Sequence, residues 1–328
     1  MQSIICGSAL KLPLDDETVQ CVVTSPPYWG LRDYGVDGQL GLEKTPEEYV
    51  AKMVEVFREV RRVLRKDGTL WLNIGDSYAA ATNGSPHSGL KALSDRTSPR
   101  KNPRANHAYQ DHGEMFVAKN VPRGLKPKDL CGIPWMLAFA LRADGWWLRQ
   151  DIIWAKPNPM PESVRDRCTR AHEYIFLLTK SASYFYDNLA IAEPLVRPEE
   201  ANRKTPAKFG GADKWVEAQR HSRLHSGNEY TGTPTGTRNR RSVWHITPQP
   251  YRGAHFATFP EKLVEPCILA GSKEDSLVLD PFCGSGTVGV VCKRLQRRFV
   301  GLELNPAYCE MARQRIDVQE EAIAAAHV

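Results

Sequence analysis

Short runs of β-favouring residues, separated by stretches with helical periodicity, are what most constrain this chain. QSIIC (2–6), VQCVVT (19–24) and TLWLNIG (69–75) read as buried strands, and LVLD (277–280) and RFVGLEL (298–304) as further strands. Between the second and third lies a full helix signature. Thr45 is a natural N-cap, Pro46 suits the first helical position, Glu48 closes a capping box, and Val50, Met53, Phe57, Val60 and Leu64 recur at three- and four-residue steps until Gly68. IPWMLAFALRADG (133–145) and EKLVEPCILAG (261–271) repeat the helical pattern. WWLRQDIIWAK (146–156) and EYIFLLTKS (173–181) read as strands, and further helices are expected up to about 297 and from Pro306. Strands alternating with helices predict an α/β fold, a mostly parallel, doubly wound sheet.

Two stretches break this rhythm. Residues 79–125 and 191–250 are rich in Gly, Pro, Ser and Asn; there are 9 Lys/Arg against 3 Asp/Glu over 79–128, and 10 against 5 over 197–241. They read as inserted basic segments, the second also carrying Trp215, Tyr230 and Trp244. They divide the chain into 1–78, 79–125, 126–190, 191–250 and 251–328. The eight cysteines form no C-x-x-C pair, which argues against a zinc ribbon or a disulfide framework and for reduced, mostly packed thiols. No metal is expected. The opening MQSIICGSALKLPL lacks a basic region followed by an apolar run, and no eighteen apolar residues occur together, so no membrane association and a cytoplasmic location are expected.

After the strand LVLD comes PFCGSGTVG, a strand–turn–helix whose glycines allow a ligand close to the backbone. Gly284, Gly286 and Gly289 spell G-x-G-x-x-G, and Glu303 closes the next strand. That pattern fits a dinucleotide. It equally fits S-adenosylmethionine, whose ribose hydroxyls need a carboxylate at the second strand end, and it is also compatible with a turn that merely packs helix on strand.

Ser25-Pro26-Pro27-Tyr28 follows the buried run CVVT, at the strand end where open α/β sheets place their ligands. Its residue types suit chemistry on an exocyclic amine, whose lone pair is delocalised into the ring. Two acceptors taking both N–H protons favour a tetrahedral nitrogen with a directed lone pair. The Ser25 hydroxyl and the Pro26 carbonyl are candidates, the latter held by the restricted backbone of successive prolines. Tyr28, with Trp29 as a second candidate, offers a face for an extruded base.

V-T-S-P-P-Y at 23–28 together with D-P-F-C-G-S-G-T at 280–287 resembles the N4-cytosine/N6-adenine DNA methyltransferase family, in the β-type order with the catalytic motif N-terminal. The resemblance covers most of the chain outside the two basic segments. It implies S-adenosylmethionine as cofactor and double-stranded DNA as partner. By position it makes Ser25, Pro26, Pro27 and Tyr28 catalytic, and it assigns Asp280, Phe282, Gly284 and Gly286 to the donor loop and Glu303 to the donor ribose. HFATFP (255–260) resembles the motif near the methionine carboxylate and adds Thr258. Where the family has an acidic residue after the first strand, this chain has Ser8, which would accept a weaker, uncharged hydrogen bond from the donor adenine. Residues 1–78 then form the catalytic half, continued by 126–190, with 251–328 the donor-binding half and 191–250 the target recognition region.

The resemblance implies methylation of an exocyclic amine on a flipped base. Ser before Pro-Pro-Tyr favours cytosine N4, with adenine N6 the alternative. A nicotinamide oxidoreductase would leave the Ser-Pro-Pro-Tyr run and the basic segments idle. A C5-cytosine enzyme needs a nucleophilic cysteine beside proline, and Pro266-Cys267 falls mid-helix. RNA or protein amides would share the amine-handling logic, but two long basic segments fit a duplex better. The sequence carries no signal for or against a homodimer or a cognate restriction enzyme.

Overall fold

The computed structural model describes residues 2–79, 124–194, 237–249 and 259–326, with side chains of the last helix to 318. Most of the two basic segments, and Thr258 with them, lie outside the described residues.

The described elements are, in order, β1 (Gln2–Cys6), β2 (Val19–Thr24), α1 (Pro46–Val63), β3 (Leu64–Ile74), α2 (Ile133–Ala143), β4 (Trp147–Ala155), β5 (His172–Thr179), β6 (Glu193–Pro194), β7 (Thr237–Arg238), β8 (Val243–His245), α3 (Glu261–Gly271), β9 (Leu277–Asp280), α4 (Thr287–Arg294), β10 (Arg298–Glu303) and α5 (Pro306–Ala326). Eight strands form one sheet in the order β1-β10-β9-β2-β3-β5-β4-β8. Among them only β5 runs antiparallel to its neighbours. The C-terminal strands β9 and β10 thus slot between β1 and β2, the two strands nearest the N-terminus.

Side-chain parity shows that the sheet is covered on both faces. Val22, Leu70, Leu72, Ile74, Phe176 and Leu178 join one core with α1 and α2. Cys21, Thr69 and Trp71 point the other way, where a Cβ on Gly271 of α3 would lie 2.6–2.9 Å from their side chains. This is the doubly wound arrangement expected for buried parallel strands.

Two compact units emerge, Met1–Tyr186 with Ser242–Val328, and Asp187–Arg241. In the smaller unit β6 pairs antiparallel with β7, and Glu193 faces Arg238 at 3.5 Å and Arg241 at 3.3 Å.

Three expectations need correction. Helix α1 stops at Val63, not Gly68: Leu64 is already extended, and Gly68 lies within β3, where a Cβ would strike the Leu64 side chain at 2.6 Å and the Gln20 carbonyl at 3.0 Å. Glu48 does not close a capping box on Thr45. Thr45 Oγ1 accepts from Glu48 N, but the Glu48 carboxylate reaches one residue further back, to Lys44 N at 3.0 Å. Trp244 belongs to the core, buried in β8 and 6.4 Å from the Trp71 ring, because the sheet extends past β4.

Candidate active site

The parallel sheet collects the candidates along one edge. Ser8 follows β1, Glu303 ends β10, Asp280 ends β9 and Ser25 follows β2, and these strands are neighbours in that order. All four residues therefore lie at carboxyl ends, beside one another, although they span nearly the whole chain.

The glycine turn joins β9 to α4. Gly284 (φ +52°) and Gly286 (φ +80°) adopt left-handed backbone that other residues rarely tolerate, and a Cβ on Gly286 would also press on Ala312 at 3.0 Å. Gly289 serves packing, since a Cβ there would meet the Ile316 side chain at 2.4 Å. Glu303 braces the turn: its carboxylate accepts Gly284 N at 2.9 Å and Asn305 N at 2.8 Å. Ser8 is exposed next to it, its Oγ accepting Leu10 N and the preceding Gly7 N donating to the Glu303 carbonyl at 2.9 Å.

Asp280 is 1% exposed. One carboxylate oxygen accepts both the Thr24 hydroxyl at 2.7 Å and Phe282 N at 3.0 Å. Burial pushes its pKa up to about 7 despite these bonds, and the Glu303 charge adds to the rise. Burial likewise raises Glu303. No basic side chain is among the described groups acting on either acid. Two poorly solvated carboxylates with no basic partner among the described groups would be favoured in their charged form by a nearby cation. The sulfonium and ammonium of S-adenosylmethionine fit this requirement, whereas the pyrophosphate of a nicotinamide dinucleotide does not.

Beyond β2, the chain is fixed by side chains from other elements. Tyr49 of α1 donates to the Pro27 carbonyl at 2.9 Å. Among the described residues no hydrogen bond reaches the Pro26 carbonyl, so the acceptor expected there is not consumed. Trp29 is a correction: it is buried at 4% exposure with its indole N–H on the Glu43 carbonyl, and it offers no face to a base. Tyr28 remains half-buried, its ring seated over Gly75, where a Cβ would lie 2.6 Å from Cε2.

Four partners escaped the sequence reading. Tyr28 donates to Glu173 Oε2 at 2.7 Å, Asn73 donates to the same oxygen at 3.2 Å, and Lys156 pairs with Oε1. Burial and the Glu173 charge raise the Tyr28 pKa well above the ordinary phenol value, which keeps it neutral. The fourth, Asp76, caps α2 through Gly132 N and Ile133 N. A Lys just after the apolar run IIWA and a Glu just before the apolar run YIFLL were the available signal. Their meeting depends on the antiparallel register of β4 and β5, which sets Trp154 against Glu173. Cys267, by contrast, is buried inside α3 with its thiol donating to the Leu263 carbonyl, which excludes it as an accessible nucleophile.

Comparison with known proteins agrees with this geometry. The family described as DNA methylase, which joins N6 and N4 enzymes, matches residues 19–314. The Type II methyltransferase M.Cfr9I of Citrobacter freundii is 47% identical over 316 residues, covering 96% of this chain and 87% of that protein. M.SmaI of Serratia marcescens is 48% identical over 315 residues, covering 95% and 90%. Among solved structures, PvuII DNA methyltransferase (cytosine-N4-specific) superposes with a TM-score of 0.59 at 18% identity, covering 96% of this chain and 86% of that one. The M1.HpyAVI complex with S-adenosylmethionine gives 0.51 at 17% identity, covering 97% and 100%. At such identities these two establish the fold.

Proposed function

The chain belongs to the N6/N4 DNA methylase family, and on that premise we propose that it methylates the N4 amino group of a cytosine flipped out of duplex DNA, using S-adenosylmethionine. The observation that carries this reading is the Thr24–Asp280 hydrogen bond, which ties the strand end before Ser-Pro-Pro-Tyr to the strand end before the glycine turn. The proposed amine-handling groups and the poorly solvated acids Asp280 and Glu303 are thereby held side by side.

The donor supplies an electrophilic methyl group on a sulfonium. Ser25 Oγ and the Pro26 carbonyl accept hydrogen bonds from the two N–H groups of the target amine and direct its lone pair toward that methyl; the nitrogen–carbon bond would form as the sulfur–carbon bond breaks to leave a neutral thioether, and the methylated nitrogen would then lose one proton to water. Tyr28 backs the base. Glu303 holds the donor ribose, Phe282 and the Gly284–Gly286 turn line the donor, Asp280 offsets its positive charge, and Ser8 accepts from its adenine. Thr258, outside the described residues, is assigned to the methionine carboxylate by its motif alone. The basic stretches 79–125 and 191–250 contact the duplex, the second reading its sequence. Kinship with Type II methyltransferases points to a role in protecting DNA from a restriction endonuclease.

The choice of cytosine rests on Ser25 preceding Pro-Pro-Tyr. Methylated duplex digested to nucleosides and separated by mass tests it: N4-methylcytosine is expected, and N6-methyladenine as sole product would overturn the cytosine assignment while leaving the amine mechanism in place.

A further inference from the structure

Both oxygens of Glu173 are committed as acceptors. Oε1 takes the Lys156 ammonium, which stands 4.3 Å from the Trp154 ring centre, and Oε2 takes the Tyr28 hydroxyl at 2.7 Å and the Asn73 amide at 3.2 Å. A carboxylate donates nothing, so the single Tyr28 proton is drawn toward it, the charged acceptor at 2.7 Å outweighing the neutral Asn73 Oδ1 at 3.3 Å. The Tyr28 oxygen then has only lone pairs left for Ser25, whose hydroxyl donates to it across 3.4 Å. Ser25 has thereby used its only proton, and its free lone pairs remain for a substrate.

We infer that Glu173 is a positioning residue that fixes the polarity of the Tyr28 and Ser25 hydroxyls, so that Ser25 meets the target amine only as an acceptor. This rests on the reading of Ser25 as an amine acceptor. A serine hydroxyl without such a constraint rotates freely, and for part of the time it would oppose its own proton to an N–H of the base. The reorganisation is completed in advance by the fold, which is where electrostatic preorganisation acts. Asn73 supports the arrangement, because its amide also donates to the Tyr174 carbonyl at 3.1 Å and so is fixed as a donor toward Glu173.

The near-isosteric Glu173→Gln tests the polarity. Lys156 can only donate, so it holds the new amide oxygen and turns the NH2 group toward Tyr28. Tyr28 then accepts from that amide, its own proton turns to Asn73 Oδ1 at 3.3 Å or to Ser25, and the Ser25 proton is no longer drawn away from the base. Single-turnover methyl transfer at saturating donor and duplex should fall about 100-fold or more, while donor affinity and unfolding temperature change little. Lys156→Met should cost less than about tenfold, since Oε2 still accepts from Tyr28. In the Lys156→Met/Glu173→Gln double variant the amide can turn over, and the rate should recover at least about tenfold over Glu173→Gln. Tyr28→Phe, which removes the link without imposing a donor, should lose less than Glu173→Gln. Equal losses in the two single variants, as for a simple ion pair, would overturn the inference, as would a Glu173→Gln enzyme of normal rate. Ser25→Ala separates the two levels: if it keeps full rate, the amine-acceptor reading fails and this inference with it; if it is inactive while Glu173→Gln is normal, only the polarity mechanism fails.

Discussion

Thr24, the last residue of β2, donates its hydroxyl proton to Asp280, the last residue of β9, over 2.7 Å, and both side chains are buried. Residues 256 positions apart in sequence are thus in direct contact at the centre of the sheet edge. The bond satisfies a lone pair and favours the charged form, but burial outweighs it and pushes the Asp280 pKa up to about 7, with the Glu303 charge adding to the rise.

This gives stability a defined pH dependence. The folded value, about 7, exceeds the ordinary aspartate value of 3.8, so the folded protein holds a proton that the unfolded chain has released between those values. The contribution is fully present below about pH 4 and is lost as pH rises through 7. Donor-free unfolding temperature should therefore decline across this window, less steeply in Asp280→Asn, which can still accept from Thr24 and Phe282. A cationic donor favours the ionised acid, so wild-type donor affinity should rise between about pH 6 and 8, with a smaller rise and weaker binding in the variant. Differential scanning fluorimetry and calorimetry measure both; an unchanged slope in Asp280→Asn would contradict the assignment.

Ser25→Ala removes one proposed amine acceptor and nothing that touches the glycine turn. Turnover should fall roughly 100-fold or more with donor affinity near normal, in line with loss of one transition-state hydrogen bond. Trapping a covalent adduct of DNA on Ser25 or on any cysteine would refute a mechanism based on charge placement.

Glu303 already holds Gly284 N and Asn305 N, so truncation to alanine would also loosen the glycine turn. Glu303→Gln is the milder probe because it removes the charge and keeps the size, giving up one of the two backbone bonds instead of both. Donor binding should weaken by about tenfold or more, the scale of a charge-assisted hydrogen bond. Unchanged affinity by calorimetry would remove Glu303 from the ribose site.

Gly75→Ala places a methyl group 2.6 Å from Cε2 of Tyr28, closer than packed atoms allow. The ring is tethered at its hydroxyl and has to shift as a whole, which disturbs the catalytic turn. Methyl transfer should drop about tenfold or more while donor affinity holds, since misplacement of about 1 Å is costly in oriented reactions. Full activity in this variant would show that Tyr28 tolerates displacement.

The basic stretches contain 9 Lys/Arg over 79–128 and 10 over 197–241. If they neutralise phosphates, log affinity for duplex falls linearly with log salt, by about 0.9 per phosphate contacted. Reversing the charge of several arginines in 197–241 should flatten that slope in a filter-binding titration. A flat slope in the wild type would argue against a duplex substrate.

The sequence by itself determined which segments are strands and helices, and that the chain is α/β, because uninterrupted apolar runs and three- and four-residue periodicity are local properties. Candidates for chemistry were legible wherever one short segment carries them: the proposed acceptors of Ser25-Pro26, the glycines at 284 and 286, and the acid at 303 each sit within a recognisable run. Local signals failed where two segments compete for a boundary. Gly68 looks like a helix stop, yet Leu64 is extended because β3 begins pairing with β2 there, a contact invisible to the helix pattern. Trp29 looked like a stacking face only because its burial depends on the core that covers it. The tertiary structure alone decided the partners of the Ser25–Tyr28 turn. Glu173 and Lys156 lie 145 and 128 residues beyond Tyr28 in sequence, and the register of β4, β5 and β3 sets which face of each strand they occupy. A slip of one residue would turn those side chains to the opposite face of the sheet.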